Sequence, residues 1–328
     1  MMRTSKLFTM LPEYVCTPDG MAIDSDGNLT LSCPNYADDK VPGCLVKIDK
    51  QRNIRKWVDV PANPEIGLAR PMGIAFGPDG DIYICDNPGW LGRPELDFTG
   101  RMLRLRIRDN KVEKMTVVAY GMEHPNGVRI RGEYMYVTQS LMTKVKDPSG
   151  LLVSVVYRFH LDDENIKVEN TLEDPNIFTT FLTQNLDCQY GADGIVFDEA
   201  GTLYVGNFGD GAVHKITMDE NGNAKENYVW AKNPAELQST DGMIFDQEGN
   251  LYIADFSANA VCMVKPDGTA ERIAQSPDSD GFNGELDQPG EPCIWDGKII
   301  LSCFDLVTGP DKVNTKHEMP ATMAYLDL

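Results

Sequence analysis

Six places in the chain set one residue ahead of a short apolar run. Five of them carry oxygen ligands, Asp19, Asn126, Asp193, Asp241 and Glu291, and the sixth is Met72. Each opens a phrase of similar build, such as Asp193-Gly194-Ile195-Val196-Phe197 and Asp241-Gly242-Met243-Ile244-Phe245. If these residues converge, their chemistry is narrow. Like charges held close are costly unless they are protonated or bound to a cation. Oxygen-only donors suit a hard cation, Ca²⁺ before Mg²⁺ or Mn²⁺. None of the six is His, so zinc is poorly served. One Asp-Gly step by itself serves turn geometry, capping backbone N–H groups where a strand begins. It is the recurrence that points to a cation.

The residues converge only if the phrases are copies of one structural unit arranged in a ring. The clearest copies run over 192–207 and 240–255, with others at 18–31, 71–86 and 125–137 and a degenerate one at 291–303. Their starts lie about 50 residues apart, the period of a four-stranded propeller blade. One interval is stretched by the segment 173–189. Asp26-Gly27, Asp79-Gly80 and Glu248-Gly249 suit tight hairpins between the first two strands of a unit. A third, alternating strand follows, as in Leu45-Val46-Lys47-Ile48, and a fourth in most copies, as in Tyr228-Val229-Trp230. Helical periodicity is almost absent. The expected fold is therefore all-β, a six-bladed β-propeller of four-stranded blades, forming a single domain over residues 1–328. The sixth copy has only three strands of its own. The apolar stretch 6–11 has no other partner, and it is expected to pair with the strand ending near Leu328 and so close the ring. The first strand of each blade lines the central channel of a propeller, so the six opening residues would face the channel mouth. Trp90, in the Gly/Pro-rich loop 87–95, is expected either to cover the surface or to border a pocket.

Composition narrows the partners. The 50 Asp and Glu against 30 Lys and Arg give a formal net charge of -20, a field that repels phosphate backbones and anionic membrane surfaces. Nucleic acid and membrane are thus not expected as partners, and a small-molecule substrate is. No apolar run approaches the ~20 residues of a membrane span. The N-terminus lacks a small-residue cleavage site ahead of Pro12, against a signal peptide. The 8 Cys form no CxxC pair, and Cys85, Cys262 and Cys303 sit inside apolar strands. They read as reduced core residues of a cytoplasmic protein.

Two phrases carry a family resemblance. His124-Pro125-Asn126-Gly127-Val128 and Tyr190-Gly191-Ala192-Asp193-Gly194-Ile195-Val196-Phe197-Asp198 resemble the senescence-marker-protein/gluconolactonase/luciferin-regenerating-enzyme family, which includes regucalcin-like lactonases and diisopropyl fluorophosphatase. The resemblance extends through the blade pattern to nearly the whole chain. It implies that Asn126 and Asp193 are ligands to a catalytic Ca²⁺. The family's third ligand is a Glu in a Gly-Glu-x-Pro-x-Trp phrase, matched by Gly290-Glu291-Pro292-Cys293-Ile294-Trp295 with Pro one place early. That Glu lies on the family's first blade, whereas Glu291 lies on the last. Around a closed ring the cyclic order Glu291, Asn126, Asp193 is the family's. A rival register makes Asp19 the first-blade ligand, with Asp193 and Asp241 in the later two places. Met72 stands where a polar residue would help to hold substrate.

The implied chemistry is metal-assisted hydrolysis of a lactone or related ester. Asp193, common to both registers, is the candidate to activate water or to attack directly. Asp241, Asp19 and His124 are candidates for substrate contacts. His160, His214 and His317 are expected to be structural. No phosphate loop, nucleophile elbow or dinucleotide fingerprint is present. Two alternatives stay open: a non-catalytic ligand-binding propeller with a structural divalent cation, and a strictosidine-synthase-like propeller that needs no metal. Sugar lactones, other lactones and phosphotriesters all fit as substrates.

Overall fold

The structure, a computed structural model, describes residues 2–309 and 313–328. It is a ring of six antiparallel sheets, a β-propeller. Blade 1 runs from Met21–Ile23 through Leu29–Cys33 and Cys44–Ile48 to Ile54–Asp59. The first strands of blades 2 to 6 are Pro71–Phe76, Pro125–Arg131, Ala192–Phe197, Met243–Phe245 and Pro289–Trp295. The second strands, such as Leu29–Cys33, Ile82–Asp86, Leu203–Asn207 and Leu251–Asp255, are buried from end to end. A blade's middle packs against neighbouring blades on both faces, so these strands read as continuous apolar runs. The outer strand Ala224–Lys232 has one face in water and is mostly exposed.

The ring closes as its pattern implies. Lys6–Met10 pairs antiparallel with Thr322–Asp327, matching Lys6 to Tyr325 and Met10 to Thr322. It supplies the fourth strand of blade 6. Phe8 and Leu11 turn inward and are buried, with Phe8 edge-on to Trp295 at 5.9 Å. The loop at Gly284 lies over this outermost strand. A Cβ at Gly284 would stand 2.0 Å from the Leu7 amide nitrogen, and its φ is +97°, so only glycine allows that approach.

The stretch in the interval begins earlier than 173–189, since Ile177–Thr183 is the ordinary fourth strand of blade 3. Between its third and fourth strands, Leu152–His160 and Ile177–Thr183, blade 3 sends the chain to the neighbouring blade. There Ile166–Lys167 adds a fifth, parallel strand beside Lys111–Met122 of blade 2.

Blades are locked to one another at the channel. The Ser32 hydroxyl of blade 1 donates to the Met72 carbonyl of blade 2. Thr138 and Ser140 of blade 3 donate to the carbonyls of Asp193 and Ala192 of blade 4, at 2.7 and 2.9 Å. These bonds hold the opening residues of successive blades in register. Seven of the cysteines, Cys16, Cys33, Cys44, Cys85, Cys262, Cys293 and Cys303, are buried. Among the described residues no helix is long and apolar enough to cross a membrane.

Candidate functional site

One cavity of about 420 Å³ opens at the channel mouth, and Asp19, Met72, Asn126, Asp193 and Asp241 line it. Five of the six opening residues thus meet in one place. The sixth does not, and strand register explains it. Pro71 pairs with Asp86 and Ile74 with Ile84 in blade 2. Pro289 pairs with Cys303 and Pro292 with Leu301 in blade 6. The residue equivalent to Met72 is therefore Gly290, and Glu291 takes the place that Gly73, Gly127 and Gly194 hold on other blades. Glu291 folds back over Gly242, where a Cβ would lie 2.0 Å from its Oε2. It does not line the cavity. Its Oε1 accepts from Arg129 Nη2 at 2.7 Å, a guanidinium sent from blade 3 on the opposite side of the ring. Arg129 and Glu291 are 20% and 13% exposed.

The walls are aromatic. Ring contacts run from Tyr36 to Trp90 (4.6 Å), Trp90 to Phe304 (5.1 Å), Phe304 to Phe256 (5.5 Å) and Phe256 to Phe208 (5.9 Å). They continue from Phe208 to Tyr190 (6.1 Å) and from Tyr190 to His124 (5.4 Å). All but Tyr36 line the cavity. Trp90 borders the pocket, held by the Asn87 side chain, which accepts from its amide. The collar was not anticipated, although a signal existed: Phe208, Phe256 and Phe304 each directly follow the second strand of their blades.

The floor is short of positive charge. Burial and the repulsion of Glu291 push the Asp19 carboxyl up to about 8. Burial, then Asp19 and Glu291, raises Asp193 well above the usual carboxylate range. Asp241 is raised by burial and by Asp193, Asp19 and Glu291. Glu291 is raised by burial, against which Arg129 acts. Among the described residues no side chain donates to Asp19, Asp193 or Asp241, so a bound cation fits the donor set. No three of the four acids bring one oxygen each within 4.8 Å of one another, as only Asp287, Asp305 and Glu318 do among the described residues. An ion here would share its shell among two carboxylates, the Asn126 carboxamide and water.

His124 is buried at the wall, and burial lowers its pKa to about 4, so it is neutral near pH 7. Its Nδ1 lies 3.3 Å from Asn87 Nδ2. Asn87 Oδ1 already accepts the Trp90 amide, so Nδ2 faces the imidazole and donates to it. The imidazole proton then belongs on Nε2, which has no partner. His124 thus keeps a buried, unpartnered donor within the cavity wall. His160 and His214 lie on the third strands of blades 3 and 4. His317 contacts Asp305 outside the cavity.

The raised carboxyls carry a stability consequence. Asp19 favours the fold below about pH 4, its unfolded value, and loses that contribution as pH rises through about 8; the raised pKa values of Asp193 and Asp241 act in the same direction. Chelator-treated protein should therefore melt a few degrees lower at pH 9 than at pH 6. Asp287, pushed up to about 8 outside the cavity, adds to the same trend. Excess Ca²⁺ should cancel the drop. A melting temperature independent of pH, or a drop that Ca²⁺ leaves untouched, contradicts this account of the floor.

No protein-family model matches the sequence, and no curated protein matches it. Solved structures do share its shape. A luciferin-regenerating enzyme is 11% identical over 99% of this chain and 95% of that one, with a TM-score of 0.64. A calcium-binding protein, regucalcin, from Agrobacterium tumefaciens is 13% identical over 99% and 93%, TM-score 0.60. A gluconolactonase from Xanthomonas campestris is 14% identical over 98% and 94%, TM-score 0.59. The chain thus has the propeller fold of the gluconolactonase, regucalcin and luciferin-regenerating-enzyme structures along nearly its whole length, the likeness expected from its two sharpest phrases.

Proposed function

We propose that the cavity is the active site of a calcium-dependent hydrolase of the gluconolactonase type, acting on a lactone or related ester. The observation that carries this reading is an acidic floor with no cation of its own beneath an aromatic collar. Asp19, Asn126 and Asp193 would hold the ion. Asp19 is the carboxylate that Asp193 feels most strongly, and Glu291 is already engaged by Arg129. The ligand set is thus the one in which Asp19 replaces Glu291. When bound, the ion supplies polarisation of the carbonyl and stabilisation of the oxyanion. Asp193 takes the proton of the attacking water. His124 and Asp241, both in the cavity wall, contact the substrate. The collar covers the apolar face of the ring being opened. The propeller fold shared with gluconolactonase and regucalcin structures supports the substrate class and the metal, but fold alone does not choose chemistry. The buried thiols support a reducing, cytoplasmic setting.

Asp193→Asn should keep the fold by circular dichroism and lower turnover of a small aliphatic or sugar lactone by roughly 10²-fold or more, the scale lost with a general base. Wild-type turnover should vanish with a chelator and return with Ca²⁺. Equal activity of variant and wild type removes Asp193 from the mechanism. A panel of lactones, esters and phosphotriesters with no calcium-dependent turnover would favour a ligand-binding module.

A further inference from the structure

Blade 6 carries a second acidic centre, away from the cavity. Asp287 lies in the connection from Ala270–Gln275 to Pro289–Trp295. Asp305 and Glu318 lie in the connection from Lys298–Cys303 to Thr322–Asp327. The three place one carboxylate oxygen each within 4.8 Å of one another. That spacing is what a single ion with oxygen ligands at about 2.4 Å demands.

A cluster of acids could be held apart by hydrogen bonds and solvent, but three oxygens here are buried and unsatisfied. Asp287 Oδ1, Glu318 Oε2 and Asn314 Oδ1 have no hydrogen-bond partner, and Asp287 and Asn314 are each 2% exposed. Asn314 belongs to the same centre, because its Nδ2 donates to Asp305 Oδ1 at 3.0 Å. An orphaned buried carboxylate oxygen is costly and is rarely tolerated without an ion or water. The centre is otherwise ordered: the Glu318 amide donates to Asp305 Oδ2 at 2.7 Å. Nearby positive charge is small. His317 Nδ1 stands 3.1 Å from Asp305 Oδ2, and the exposed Lys316 reaches only the other oxygen of Glu318, at 2.9 Å.

We propose that Asp287, Asp305, Glu318 and the Asn314 carboxamide form a second divalent-cation site, selective for Ca²⁺, that ties the two connections of blade 6 together. The donors are all oxygen, which favours Ca²⁺ over zinc and softer metals. The longer connection begins with Phe304, Val307 and Thr308, all in the cavity wall. The ion therefore holds one side of the collar in place without touching the floor.

The test uses the full chain, freed of metal by a chelator and desalted, with Ca²⁺ alone as the probe. In Asp193→Asn/Asp241→Asn, which disables the cavity floor, calorimetry should still record binding of one Ca²⁺. In Asp287→Asn/Glu318→Gln that binding should disappear, while any binding at the floor persists. The two sites thus fail separately. Protease cleavage within 304–309 or 313–321 supplies a reading that needs no variant. In wild type, Ca²⁺ at 100 times its dissociation constant should slow cleavage there up to about 100-fold, because the ion must leave before the segment opens. Loss of all Ca²⁺ binding in the folded floor variant overturns the proposal. Cleavage of wild type at a rate indifferent to Ca²⁺ overturns it too, even if the blade 6 variant fails to fold.

Discussion

A chain that starts at Pro12 should lose roughly 5 kcal/mol of stability, an amount comparable to the whole margin of many domains. The loss has two sources. Phe8 and Leu11 are 5% and 3% exposed, and full burial of such side chains contributes about 1.5–3 kcal/mol each. Truncation also strips Thr322–Asp327 of its outer partner. That leaves a row of unpaired backbone groups in a blade that covers part of the cavity wall. The exposed pair Lys6–Asp327, at 52% and 65%, adds little to the total. Urea unfolding followed by tryptophan fluorescence should show a much lower midpoint, and the truncated chain should self-associate through the bared edge. An unchanged midpoint would mean that the ring holds without its first strand.

Arg129→Met should be nearly as damaging. The guanidinium is the one cation hydrogen-bonded to Glu291 among the described residues, and removing one partner of a fully buried pair costs about 3–5 kcal/mol, an upper bound for this part-buried one. Met keeps the apolar stem and removes the charge, together with the guanidinium's bonds to the Val128 and Met243 carbonyls, so the carboxylate's share is read from the double variant. The double variant Arg129→Met/Glu291→Gln should recover most of the lost stability, since a neutral amide is far cheaper to leave in the channel. Denaturant unfolding of the four proteins completes the cycle. If the double variant is no more stable than Arg129→Met, the pair is not coupled, and Glu291 is left available for some other partner.

Much of this was legible in the chain because propeller blades repeat. Six phrases at a steady period announce six blades, and the unpartnered strand near the N-terminus announces how they close. The floor residues Asp19, Asn126, Asp193 and Asp241 follow from the same periodicity. Glu291 shows the limit of reading by likeness. Its phrase matches a family motif, yet the register of Pro289 and Pro292 against the second strand puts Gly290, not Glu291, at the ring position. A one-residue slip in a β-strand changes which way a side chain faces. Arg129 gave no local sign, because its partner lies 162 residues away and only closure of the ring brings them together. The acidic centre of blade 6 is harder still. Its ligands come from two irregular connections with no fixed spacing, so no motif marks them.

The pairing of Lys6–Met10 with Thr322–Asp327 also orders events in the cell. Lys6–Met10 cannot find its place until its partner emerges from the ribosome more than 300 residues later. Until then Lys6–Met10 has no strand to pair with, and its open hydrogen-bonding groups wait in solution. Five blades can form while the chain grows, but the sixth cannot. A ribosome stalled shortly before codon 322 should therefore hold a protein with five complete blades and two sticky ends.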